Sequence, residues 1–99
     1  MQRGGFIYIM TNAHHTVLDI GVTSNLPARI HQHKNHDFKN SYTDRYNIEK
    51  LVYYEDFYRI EEAIAREKQV KKYSREKKEI LINQMNPEWK DLWEIIEDW

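Results

Sequence analysis

Two β-branched and aromatic segments, GFIYIM at 5–10 and TVLDIGV at 16–22, are separated only by the polar run TNAHH. Segments of this composition so close together read as an antiparallel hairpin with a short loop, and they commit the chain to a sheet. The second segment has an acid, Asp19, in the middle of an otherwise apolar run. With a period of two along a strand, Phe6, Tyr8 and Met10 share one face, and Val17, Asp19 and Gly21 share one face. If the two sets fall on the same side of the hairpin, Tyr8 and Asp19 project together. Gly21 in a strand interior marks a bulge or a close approach of another group to the backbone.

The rest of the chain alternates helical periodicity with turn signals. Ser24 or Asn25 can cap a helix that tolerates Pro27 in its first turn and runs through ARIHQHK to about residue 35. The polar stretch 35–47 reads as a loop, and IEKLVYYE at 48–55 as a third strand. Ile60, Ala63, Ile64 and Val70 recur at helical spacing, predicting a helix over 58–72. Ser74 can cap REKKEILINQM, which Asn86-Pro87 ends, and a terminal helix over 88–98 carries Trp89, Leu92, Trp93 and Ile96 on one side. The order β-β-α-β-α-α predicts an α+β fold, a three-stranded antiparallel sheet flanked by helices. We read it as one domain over 1–99, with its core at about 4–85.

Composition narrows the function classes. Ninety-nine residues with 40% hydrophobic content suffice for one core. No stretch approaches the roughly 20 apolar residues of a membrane span, and the N-terminus lacks the regions of a signal peptide, so a soluble, cytoplasmic protein is expected. The absence of cysteine removes disulfides, thiol nucleophiles and the usual structural zinc sites. Net charge is only −1, but residues 66–78 hold seven Lys or Arg against two Glu, and 80–99 hold one Lys against five acids. The basic strip, with Lys68, Lys71, Lys72 and Arg75, is either a solvated helix face or a phosphate-tracking surface, to which Lys34 would add.

Some charges stand where the pattern asks for apolar residues. Glu67 follows Ile60, Ala63 and Ile64 by seven, four and three residues and so extends the inward stripe of its helix. A lone desolvated carboxylate costs at least several kcal/mol, so it must be paired, protonated or bound to a cation. Arg29 and His33 lie four apart, beside the inward-facing Leu26 and Ile30. A buried Arg29–Glu67 ion pair is the purely structural reading. His31, His33 and His36 cluster in sequence, but His31 and His33 diverge by about 200° on a helix, which argues against a shared zinc ion.

The set "FIY" at 6–8, "DIG" at 19–21, Arg29 eight residues on, His33 one turn further, and Glu67 within "AIAREKQVKK" resembles the GIY-YIG nuclease superfamily. The resemblance spans about residues 4–85, and "NPEWKDL" at 86–92 looks like the C-terminus of its small stand-alone bacterial members. It implies a metal-dependent endonuclease acting on nucleic-acid phosphodiesters, with DNA as partner, branched or single-stranded, in repair or recombination. By the same resemblance Tyr8 is the general base or orients water, Arg29 steadies the phosphoryl transition state, and His33 assists proton transfer from Tyr8. Glu67 is then the carboxylate that holds one Mg²⁺ or Mn²⁺, a hard cation that one carboxylate, waters and a substrate phosphate suffice to place.

Two positions depart from the pattern. Phe6 stands at the first glycine of the motif, and Asp19 stands at the tyrosine of the second motif. Asp19 is either a second metal ligand, a lesion that leaves a catalytically impaired nucleic-acid-binding module, or a structural partner of Arg29. An asparagine expected about a dozen residues past the metal glutamate is replaced by Glu79, with Asn83 a turn later. A structural or interaction domain presenting Trp99 to a protein partner is the third class.

Overall fold

The computed structural model describes residues 4–99. The predicted hairpin is formed by β1 (Gly5–Thr11) and β2 (Leu18–Thr23), antiparallel in an unbroken register from Phe6 opposite Thr23 to Thr11 opposite Leu18. Its loop is closed by Asn12, whose Oδ1 accepts from the Thr16 and Val17 backbone N–H groups at 2.9 and 3.2 Å. The third strand, β3 (Lys50–Phe57), pairs antiparallel with the other edge of β1, giving the order β2-β1-β3. It starts two residues later than the composition predicts because Ile48, though fully buried, precedes the ladder. As the middle strand, β1 is buried at every position, which is why its sequence lacks polar alternation.

The two faces of the sheet have separate covers. Phe6, Tyr8 and Met10 pack with Leu26 and Ile30 of α1 (Leu26–Lys34) and with Ile96 of α5 (Trp93–Ile96). Ile7, Ile9 and Ile20 pack with Ala63 and Val70 of α3 (Ile60–Lys71) and Ile82 of α4 (Arg75–Met85). Asn25 caps α1, its side chain accepting from Ala28 N–H at 3.2 Å. Burial of Leu26 and Ile30, worth about 1.5–3 kcal/mol each, sets the rotation of α1 about its own axis. That rotation settles where Arg29 and His33 point.

Four local expectations are corrected. The 35–47 segment is not all loop, since Ser41 accepts from Asp44 N–H and caps a single turn, α2 (Tyr42–Arg45). Helix α3 starts at Ile60 instead of 58, where the Glu62 carboxylate receives the Arg59 backbone N–H. Ile64, expected on the inward stripe, is 38% exposed. The terminal helix is one turn, 93–96, and Trp89 lies outside it with φ 53°, packed against the α3–α4 face while Leu92 and Ile96 pack on the other. Asn86 explains this, for its side chain bonds both the N–H and the C=O of Lys90 and also the carbonyl of Val52, holding 86–90 as a turn.

Candidate active site

Tyr8 and Asp19 do lie on one face of the hairpin, because Tyr8 pairs with Gly21 and Met10 with Asp19. The register has no bulge at Gly21. A Cβ there would stand 2.3 Å from both Cζ and Oη of Tyr8, so the glycine lets the tyrosine ring lie flat across β2. Tyr8 is 2% exposed, and its hydroxyl reaches an open cavity of about 430 Å³ at the β2 edge. Asp19, Arg29, His33, Glu67 and Lys71 line the same cavity. Glu67 belongs to the helix on the opposite face of the sheet and meets the others past this edge strand.

The imidazole is the most firmly placed group. His33 is 8% exposed, with Nε2 3.3 Å from the Tyr8 hydroxyl and Nδ1 3.1 Å from Thr43 Oγ1. Thr43 is itself 3.1 Å from Ser41 Oγ. Thus the turn α2 backs α1, and a run of hydroxyls stands behind the histidine. Phe38, from the same segment, packs on the His33 ring and lies under the Arg29 guanidinium at 5.7 Å. Sequence reasoning passed over Thr43, Ser41 and Phe38 in a stretch read as loop. The available signal was Ser41 three residues before Asp44, an N-cap pattern.

Electrostatics differ at each group. Burial pushes the Tyr8 phenol above its ordinary value, the Arg29 guanidinium pulls it back by charge and hydrogen bond, and Asp19 and Glu67 push it up again. Burial, then the charge of Arg29, lower His33 from its ordinary value, which favours the neutral ring. Burial raises the Asp19 carboxyl, Lys71 lowers it, and Glu67 raises it. The two carboxylates therefore feel each other.

Neither structural reading of the acids is realised among the described residues. The ion pair of Glu67 is with Lys71, 3.3 Å away, instead of Arg29. The cation acting on Asp19 is likewise Lys71. The described residues contain no group of three His, Cys, Asp or Glu side chains that could hold a metal. His31 bonds Asn35, His33 faces Tyr8 and Thr43, and His36 bridges Asp44 and Glu49, so the histidines serve three separate places. The donor set nevertheless fits a hard divalent ion. Glu67, only 14% exposed, and Asp19 offer mutually repelling carboxylates on one cavity, and such an ion completes its shell with water and phosphate oxygens.

The basic residues divide. Lys68 and Lys72 are exposed on or just beyond α3, and Lys71 stands at the cavity mouth. Arg75 donates to the His15 and Thr16 carbonyls and to Glu79, tying α4 to the hairpin loop. Lys34 is engaged with Asp91 and the Glu49 carbonyl. Glu79 thus pairs with Arg75, Asn83 accepts from the Trp89 indole, and neither lines the cavity.

A phenol, an imidazole, a guanidinium and two carboxylates around one open cavity on a small α+β sheet make a site with the chemistry of phosphate esters. Comparison with protein-family models matches residues 4–80 to the GIY-YIG catalytic domain, and this chain belongs to that family. The membership brings a nuclease-type function and a nucleic-acid substrate. Searches of curated proteins and of solved structures gave no match. No helix of the described residues is long and apolar enough to cross a membrane.

Proposed function

We propose that the chain is an endonuclease that hydrolyses a nucleic-acid phosphodiester, DNA first among its substrates, with the help of one Mg²⁺ or Mn²⁺ ion. The observation that carries this reading is the Tyr8–His33 contact at the wall of a cavity shared with Arg29, Asp19 and Glu67. Glu67, with Asp19, would hold the ion, which when bound neutralises charge on the phosphate oxygens. Water attacks phosphorus, a P–O bond forms and the ester P–O bond breaks. The water proton passes to the Tyr8 oxygen as Tyr8 gives its own to His33 Nε2, and the leaving oxygen is protonated from solvent. Tyr8 cannot ionise by itself at neutral pH, given an ordinary value of about 10 raised further by burial, so concerted transfer to a neutral His33 is the economical route. Arg29 supplies fixed positive charge to the transition state, a type of contribution worth roughly 10²–10³ in rate per donor.

A second reading, a nucleic-acid-binding module with impaired cleavage, is favoured by Asp19 itself, which adds a carboxylate to a cavity that must admit an anion. Cleavage of labelled duplex, single-stranded and branched DNA and of RNA in Mn²⁺, Mg²⁺ or EDTA separates the two. The hydrolase reading expects metal-dependent cutting that Tyr8→Phe and Glu67→Gln lower at least a hundredfold, with Asp19→Ala weakening it. An inert wild type in which Asp19→Tyr gains activity supports the impaired module.

A further inference from the structure

A second, smaller cleft of about 270 Å³ is bounded by Thr16, Val17 and Leu18 at the start of β2 and by Arg75 and Lys78 on the first turn of α4. Tyr42 lines both this cleft and the larger cavity, so the two are neighbours along the β2 edge. Although its ring packs against Tyr46 with centroids 4.8 Å apart, Tyr42 remains 52% exposed. Lys78 is partly buried, and among the described residues its ammonium has no ion-pair or hydrogen-bond partner. Arg75 is held in place by the hairpin carbonyls. An isolated exposed tyrosine is ordinary, but a cleft that sets it beside an unpaired cation is a place an anion can occupy.

We infer that this cleft seats the unpaired strand running away from the scissile phosphate, with Tyr42 stacking a base and Lys78, beside Arg75, meeting the next phosphate. The inference rests on the phosphodiester reading of the larger cavity and names its substrate class, single-stranded or locally unpaired nucleic acid. In a duplex each base has both faces covered by its neighbours, so an exposed ring finds nothing to stack on. A splayed strand offers those faces, and stacking is tolerant of sequence. The alternation of aromatic ring and cation along one groove is the form in which proteins follow a single strand.

The test is fluorescence anisotropy, in EDTA, with a labelled oligothymidylate of about 12 nucleotides and a blunt duplex of the same length. The wild type should bind the single strand more tightly. Tyr42→Ala should weaken single-strand binding about tenfold and leave the duplex nearly unchanged, while Tyr42→Phe, which keeps the ring, retains it. Lys78→Gln should make the salt slope of single-strand binding shallower by about 0.7. Duplex binding equal to or tighter than single-strand binding overturns the inference. A Tyr42→Ala loss that is absent, or equal for both substrates, also overturns it. Cleavage speaks separately. Tyr42-dependent strand binding by a protein that never cuts removes the hydrolase reading and leaves this one, and metal-dependent cutting with Tyr42-independent binding does the reverse.

Discussion

Thr43 shows how much of the site's chemistry depends on one hydroxyl. The His33 Nδ1–Thr43 Oγ1 contact gives a protonated Nδ1 an acceptor, and only with Nδ1 protonated is the neutral ring's Nε2 free to accept from Tyr8. Thr43→Val keeps the shape but leaves Nδ1 without its partner, at a cost of roughly 1–3 kcal/mol. ¹⁵N NMR of the histidines should then show more of the Nε2–H form of His33, and cleavage should fall about tenfold, with Thr43→Ser restoring both. An unchanged tautomer would remove Thr43 from the relay. The lowered pKa of His33 gives the pH dependence its sign, because an ordinary histidine is half protonated at about 6.5 and this one is less protonated there. Cleavage should therefore fall on the acid side at a lower pH than an ordinary histidine would set. Tyr8, Asp19, Arg29, His33 and Glu67 were legible as an ordered set, since each sits at a recognisable spacing on a predictable element. Thr43 was not, because its role needs a contact ten residues away with a side chain inside the core.

At the scale of elements, the 35–47 segment adds a wall, through Phe38, Ser41, Tyr42 and Thr43, to the open cavity between α1 and the edge of the sheet. Its hold on the fold is His36, with φ 56°, whose two ring nitrogens stand 2.7 and 2.6 Å from Asp44 and Glu49. Hydrogen bonds to Glu49 and then Asp44 raise the histidine above its ordinary value. A raised histidine contributes stability that is fully present below about 6.5 and is lost as pH rises through its folded-state value. The segment should therefore be tightest in mild acid. Amide hydrogen exchange over 36–47, corrected for intrinsic rates, should show protection falling from pH 6 to 8 in the wild type, and His36→Gln should flatten that trend. Lys39 also acts on Asp44, lowering it. Chain composition indicated only turns here, since an open bridge between α1 and β3 has no periodicity to read.

The whole molecule carries almost no net charge, yet its basic residues are densest on α3 and the start of α4, where Lys71 lines the larger cavity and Arg75 and Lys78 the smaller cleft. Affinity for nucleic acid should accordingly fall linearly with the logarithm of salt concentration. The double variant Lys68→Ala/Lys72→Ala, both exposed, should make that slope shallower by about 1–2 without changing the melting temperature. A slope that does not change would place the phosphate path elsewhere. Lys34, bound to Asp91, should matter to stability more than to binding. By itself the sequence determined the hairpin, the cap of α4 and that of α1 to within Ser24 or Asn25, the order of the elements along the chain and the identity of the reactive side chains. Those follow from propensities, capping and periodicity, which act within a few residues. Only the tertiary structure decided that Glu67 meets Tyr8 past the edge of β2, that Lys71 and not Arg29 answers the two carboxylates, that Trp89 leaves the terminal helix, and that Thr43 stands behind His33. Each of these depends on which surfaces pack and which charges lose their water, and packing and desolvation are properties of neighbours in space.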